Sequence, residues 1–330
     1  MEKDLRHKTL SILFRVDSSE NIGLGHTMRC LVLAQRLKEQ NAKLAISFAT
    51  QALANNIDDR IVALGFTLHT LFTNEHKEFL NVVQSNPYDL IIIDSYQLDI
   101  KIEKLLQKQT QAKLLIFDDM FQAHSANMVL NHGIHVDKNA YKDLVPQTTK
   151  VFAGMAYTLL RDEFFLSYQT KRKRKSIAII LGGNDAANLS LSIARMLEHR
   201  YKISIITTTA NPHLKKLQKH TTFKLFVDIN NIAEILSQQS CIICASGGNL
   251  FEVMALKLPF INIQIAQNQA SIVHFLKEKN IHTTLQKEEI NLENLQKKLI
   301  YLHKTDIYKN LELQFSKDTL AKKILKELNK

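Results

Sequence analysis

The stretch "SILFRVDSSENIGLGHTMRCLVLAQRLKEQ", residues 11–40, carries three signals in a row. Residues 11–17 form an apolar run that predicts a strand. A turn bearing Gly23 and Gly25 follows. From His26 to Gln40, apolar residues recur at helical spacing. Strand, glycine turn and helix together open a βαβ unit. The alternation then repeats, with strand patterns at 43–49, 89–95, 112–119 and 127–131 and helical patterns at 75–86 and 99–109. The strands are almost uninterrupted apolar runs, as a parallel sheet covered on both faces requires.

After the basic run "KRKRK", residues 171–175, the alternation restarts. Strands are predicted at 176–181, 202–208, 224–227, 240–245 and 260–265. Helices are predicted at 186–199, 212–219, 230–238, 249–256 and 268–279. From about residue 287 the pattern is helical and lysine-rich. The expected fold is therefore α/β, with two Rossmann-like, doubly wound parallel-sheet domains. Their expected bounds are 1–170 and 171–330, the second carrying a helical tail.

Composition narrows the function classes. The 330 residues are 45% hydrophobic and 23% charged, the profile of a soluble globular chain. No apolar run approaches the roughly 20 residues that span a bilayer. The first residues, "MEKDLRHKT", are charged and precede a strand, so no signal peptide is expected. The net charge of +11 favours an anionic ligand. The basic run lacks interleaved aromatics and falls between two similar halves, so it reads as a solvated linker. Neither a nucleic-acid partner nor stable membrane association is expected. Cys30, Cys241 and Cys244 give no disulfide framework. The pair Cys241 and Cys244 lies within one apolar strand, which predicts buried, reduced thiols in a cytoplasmic protein.

In doubly wound sheets ligands bind beyond the carboxyl ends of the strands. That rule selects four loops, at 17–26, 94–96, 182–185 and 246–249, which a cleft between the domains would gather. The first has two glycines of a G-x-G-x-x-G fingerprint but Met28 at the third position, and the second strand ends without an acid. A dinucleotide site is not expected there. His26 stands at a helix N-terminus, where the dipole favours a neutral imidazole. It is a candidate general base or a packing histidine.

The fourth loop, "ASGGNLFE" at 245–252, ends a strand, brings two glycines close and opens a helix whose N–H groups suit a phosphate. Glu252 accepts from ribose hydroxyls or merely complements the helix dipole. Gly182, Gly183 and Asn184 repeat the arrangement, with Asn184 or Asp185 as an alternative N-cap. Asn268 and Gln269 are either an N-cap or amides that orient a sugar or a water. Asp94, Ser95 and Tyr96 divide equally between a functional and a structural role. Asp118 and Asp119 make a poor metal-ligand set, and His132 and His135 read as solvated loop histidines.

The ordered set "RVDSSENIGLGHTMRCLVLA", "LIIIDSY", "FDD", "VLN", "GMAYTLLRDEF", "LGGNDAANLSL" and "ASGGNLFEVMALKLPFINIQIAQNQ" resembles the PseG family. These are UDP-2,4-diacetamido-2,4,6-trideoxy-β-L-altropyranose hydrolases of pseudaminic acid biosynthesis, similar in fold to MurG-like GT-B glycosyltransferases. The resemblance runs from about residue 11 to 280. It implies a GT-B-like pair of domains with an interdomain cleft. It also implies cleavage of the bond from sugar C1 to the UDP oxygen by water, with inversion and with no metal or other cofactor. The family histidine falls on His26, following Gly25. The asparagine of its N-Q pair falls on Asn268, beside Gln269, and its aromatic falls on Tyr96. Asp17 is expected on the sugar side. The resemblance places the diphosphate on Gly247, Gly248 and Asn249, assisted by Gly182, Gly183 and Asn184. It places the ribose on Glu252 and the uracil near Phe226 and Val227. The alternative is a GT-B glycosyltransferase that uses a UDP-amino sugar and an acceptor hydroxyl.

Overall fold

The computed structural model describes residues 9–73, 75–169 and 172–330. Two parallel sheets organise them. In the first, β1 (Ser11–Val16), β2 (Ala45–Gln51), β3 (Thr67–Leu71), β4 (Leu90–Asp94), β5 (Lys113–Phe117), β6 (Met128–Asn131) and β7 (Lys150–Ala153) lie in the order 3-2-1-4-5-6-7. In the second, β8 (Ser176–Ile180), β9 (Lys202–Thr207), β10 (Lys224–Val227), β11 (Cys241–Ala245), β12 (Phe260–Gln264) and β13 (Thr284–Gln286) lie in the order 10-9-8-11-12-13. Each order reverses direction once, between β1 and β4 and between β8 and β11. Chain crossovers leave in opposite directions at those points and open a crevice at the strand ends.

The central strands are fully buried, as their apolar runs require: Leu90–Asp94, Ser176–Ile180 and Cys241–Ala245 have no exposed position. Helix α1 (Gly25–Gln40) buries Cys30, Leu31, Leu33, Ala34 and Leu37 against β1 and β2 through Phe14 and Phe48, whose rings stack 4.8 Å apart. The helices α2 (Asp58–Ala63), α3 (His76–Ser85) and α4 (Ile100–Gln109) complete this part of the chain. In the second sheet's part, α5 (Leu189–Leu197), α6 (Leu214–Gln218), α7 (Ile232–Ser237), α8 (Gly248–Ala255), α9 (Ala270–Glu278) and α10 (Leu292–Lys304) follow.

The chain divides into two compact units, and the division differs from the bounds expected at residue 170. The first unit takes the described residues up to Ile22, then His26–Leu159 and Ser316–Lys330; the second takes Gly23–Gly25 and Leu160–Phe315. Two physical facts move the boundary. Arg161 is ion-paired with Glu252 of the second unit. The last helix, α11 (Thr319–Leu328), inserts Leu320, Ala321 and Ile324 into the first unit's core. Lys113 Nζ also donates to the Glu327 carbonyl oxygen.

Lys171, the first residue of the basic run, lies outside the described residues. Lys173 donates to Gln238 through both its amide, at 2.8 Å, and its Nζ, at 2.7 Å. Residues 172–175 are exposed, but Lys173 ties them to the second unit rather than leaving them to hang free as a linker. The three cysteines are free and buried, and burial pushes the Cys241 thiol up to about 12.

Candidate active site

In the first unit the site grows from the reversal between β1 and β4. Val16 pairs with Asp94 in register, so the turn after β1 and the end of β4 are neighbours. His26 is the second residue of α1, and Arg29 follows one turn later on the same face. Both reach Asp94. His26 Nδ1 lies 2.6 Å from Asp94 Oδ1; Arg29 Nε lies 2.6 Å from Oδ2 and Nη2 lies 2.6 Å from Oδ1.

This geometry fixes the histidine tautomer. A bare Nδ1 facing a carboxylate oxygen at 2.6 Å would set lone pair against lone pair, so Nδ1 carries the proton and donates. Arg29 Nη2, 3.0 Å from the same nitrogen, spends its hydrogen bond on Asp94 instead. Nε2 of His26 has no protein partner among the described residues and keeps an open lone pair. Burial alone would raise the Asp94 carboxyl. The Arg29 charge, then His26, outweigh it and hold Asp94 well below the usual carboxylate range.

The cluster extends outward. Arg29 Nη1 donates to His132 Nε2 at 3.0 Å and reaches Asp119 Oδ2 at 3.3 Å, and its guanidinium lies 5.0 Å over the Phe117 ring. The Tyr96 hydroxyl donates to Asp119 Oδ1 at 2.7 Å, and its ring meets His26 edge-on at 5.0 Å. Tyr96 is 56% exposed, so much of its surface stays open. His132 is therefore no solvated loop histidine. Burial first, and the Arg29 charge second, lower its basicity and keep it a neutral acceptor.

Asp17 is buried. Its Oδ1 accepts from Arg15 Nη1 at 2.5 Å and from the Gln51 amide at 2.7 Å, bracing the start of the turn. The sequence leaves Asp94 open between a functional and a structural role, and it does not mark Arg29 or Asp119 as site residues. The signal that could have found Arg29 is its spacing of three from His26 on one helix.

In the second unit two glycine turns stand beside the other reversal, after β8 and after β11. They differ at their helix ends. The turn at Gly182, with φ +90°, runs through Gly183 and Asn184 to Asp185, whose carboxylate accepts from the amides of Leu189 at 3.0 Å and Ser190 at 2.9 Å. The α5 N-terminus is thus capped by the protein itself. Helix α8 begins at Gly248 with Gly247 as its cap residue and no side-chain cap. Its first amides, including that of Asn249, remain open to an anion.

Gln269 stands next to this end. Its Oε1 accepts from the Ile265 amide at 2.8 Å, and its Nε2 lies 3.6 Å from where a Cβ on Gly247 would be. With the oxygen engaged, the amide NH₂ faces the glycines as a donor. Asn268 precedes it in the same 3₁₀ turn, half-buried. Phe226 and Val227 lie half-buried on the edge strand β10. Both Glu252 oxygens receive Arg161, Nε at 2.7 Å and Nη2 at 2.8 Å. Sequence reasoning did not find that pairing.

No protein-family model matches the chain. Among solved structures, Acinetobacter baumannii MurG is similar with a TM-score of 0.58 at 13% identity, covering 97% of this chain and 99% of that one. The spinosyn rhamnosyltransferase SpnG complexed with thymidine diphosphate gives a TM-score of 0.63 at 10% identity, covering 97% and 96%. A putative UDP-N-acetylglucosamine 2-epimerase from Listeria monocytogenes gives 0.61 at 13%, covering 97% and 96%. Likeness at such identities is likeness of fold, and the fold is of the GT-B class.

The curated sequences are more specific. Over 275 residues the chain is 34% identical to the UDP-2,4-diacetamido-2,4,6-trideoxy-beta-L-altropyranose hydrolase of Campylobacter jejuni, spanning 82% of this chain and 97% of that protein. A Helicobacter pylori protein that combines this hydrolase with pseudaminic acid cytidylyltransferase is 22% identical over 266 residues, 79% of this chain and 46% of that one. The chain belongs to the family of UDP-2,4-diacetamido-2,4,6-trideoxy-beta-L-altropyranose hydrolases.

Proposed function

We infer that the protein hydrolyses a UDP-linked 2,4-diacetamido-2,4,6-trideoxy sugar to UDP and the free sugar, in pseudaminic acid biosynthesis. The observation that carries the mechanism is the 2.6 Å His26–Asp94 contact, which leaves Nε2 of His26 as an open base. Water donates a proton to that nitrogen as its oxygen attacks sugar C1. The bond from C1 to the UDP oxygen breaks, its electron pair leaves with UDP, and C1 inverts. Asp94 holds the ring in the useful tautomer and stabilises the imidazolium that forms. Tyr96 and Asn268 position the sugar, and Asp17 braces the turn that carries the base.

UDP is a good leaving group, so no strong acid is needed. The open α8 N-terminus at Gly247, Gly248 and Asn249, with the Gln269 amide, supports a diphosphate and stabilises its developing charge. Glu252 is assigned to the ribose: each of its oxygens takes one hydrogen bond from Arg161 and retains a second lone pair for a hydroxyl. Phe226 and Val227 are assigned to uracil. No described helix is long and apolar enough to cross a membrane. The free, buried thiols suit the reducing cytoplasm, where we place the reaction.

The test is turnover of the UDP-sugar in ¹⁸O water with EDTA present. Labelled free sugar beside unlabelled UDP is the expected result. Labelled UDP would move the attack to phosphorus. Intact substrate despite UDP binding would favour the glycosyltransferase.

A further inference from the structure

A second histidine in the first unit is used by nothing in the mechanism above. His124 is 7% exposed, and charged groups face it from two sides. From α4, Glu103 Oε1 lies 2.7 Å from its Nδ1; from the loop after β5, Asp118 Oδ2 lies 3.5 Å from its Nε2. Glu103 Oε2 also accepts the Ser125 amide at 2.6 Å, and the His124 amide donates to the Leu144 carbonyl at 2.9 Å. Tyr141 also meets this cluster, its hydroxyl donating to the Asp118 carbonyl at 3.1 Å.

Two carboxylates around one imidazole demand a cation. Neutral His124 would leave two buried acids, each held otherwise by backbone amides, without a counter-charge between them, a costly arrangement in the interior. Burial by itself would lower the basicity of His124. The hydrogen bonds and charges of Asp118 and Glu103 reverse that and raise it to about 9.

The charged triad is joined to the active site by one residue. Asp118 Oδ1 accepts the Met120 amide at 2.8 Å and Oδ2 accepts the Gln122 amide at 3.0 Å, so the Asp118 carboxylate folds the loop that follows it around Asp119. Asp119 in turn holds the Tyr96 hydroxyl and Arg29.

We propose that His124 is a positioning residue for the hydrolysis: as an imidazolium clamped by Glu103 and Asp118, it sets the 118–122 loop and, through Asp119, the placement of Tyr96 and Arg29 beside His26. The proposal rests on the assignment of His26 and Tyr96 to the reaction. Losing the His124 proton frees Asp118 from its counter-charge and loosens the loop, so turnover falls on the alkaline side without a parallel loss of UDP binding.

The experiment measures kcat, KM and UDP affinity across the alkaline range for the wild type, His124→Gln, Glu103→Gln and His26→Asn. In His124→Gln, kcat falls about tenfold or more while UDP affinity stays within about twofold, as expected for a lost positioning contact. Glu103→Gln keeps an acceptor but removes a charge, so the alkaline limb moves down by about one pH unit or more. That shift also serves if His124→Gln does not fold. A folded His124→Gln with wild-type kcat, or an unmoved limb in Glu103→Gln, overturns the proposal. If His26→Asn is inactive in the same assays, such a failure is confined to His124. If His26→Asn turns over normally, the mechanism fails and the proposal falls with it.

Discussion

The first unit holds two histidine–carboxylate pairs of nearly equal length, His26 with Asp94 at 2.6 Å and His124 with Glu103 at 2.7 Å. What surrounds them separates their chemistry. Around His124 one nitrogen is hydrogen-bonded to Glu103 and the other faces the Asp118 carboxylate at 3.5 Å, so two negative charges hold the ring charged. Around His26 the acid is already matched by Arg29, whose Nε and Nη2 take both Asp94 oxygens. Asp94 is then left to orient the ring, and Nε2 stays open. A short histidine–carboxylate contact is thus no mark of a base. The mark is a carboxylate whose charge is spoken for and a far nitrogen without a partner.

The largest expected effect removes the open nitrogen. His26→Asn should cut kcat by about 10²–10⁴, the range of general-base catalysis, with UDP affinity measured by calorimetry unchanged. Substituting the matched acid comes next. Asp94→Asn leaves the buried Arg29 guanidinium without its carboxylate and should lower the unfolding free energy by about 3–5 kcal/mol in urea titrations, besides losing turnover.

A pH effect sharpens the other side of the comparison. The folded-state value of His124, about 9, lies above the ordinary histidine value near 6.5. Its stabilisation is therefore fully present below about 6.5 and is lost as pH rises through about 9. The urea midpoint of the wild type should fall between neutral pH and pH 10, and that fall should shrink in His124→Gln.

The two glycine turns of the second unit make a parallel contrast with smaller effects. Gly248→Ala meets no protein atom within 4 Å, so it should leave stability nearly unchanged while its methyl crowds the anion end of α8 and weakens UDP binding. Asp185→Ala should do the reverse, costing about 1 kcal/mol of stability as a lost helix cap with little change in UDP affinity.

Much of this was legible in the sequence, for a physical reason. The central strands are buried on both faces and so read as continuous apolar runs. Three of the four edge strands do not; β10 is the exception. Thr67–Leu71, Lys150–Ala153 and Thr284–Gln286 were not predicted, and each is only partly buried at the rim of its sheet. The strand-end rule points to the loops of His26 and Tyr96 and to the glycine turns because those residues are local to a turn. Asp119, His132 and the Arg161–Glu252 pair depend on contacts between distant segments, which no periodicity marks, while Arg29 is marked only by its spacing of three from His26. Nor does the pattern of 287–330 reveal that its last helix returns to the first unit, since an amphipathic helix does not announce which core it covers.

The most direct measurement is the ¹⁵N NMR of the histidine rings in the ligand-free protein at neutral pH. The account predicts that His26 shows a hydrogen-bonded proton on Nδ1 and a bare Nε2, while His124 carries protons on both nitrogens. A His26 ring protonated on Nε2 would leave no base facing the water, and would contradict the mechanism at its centre.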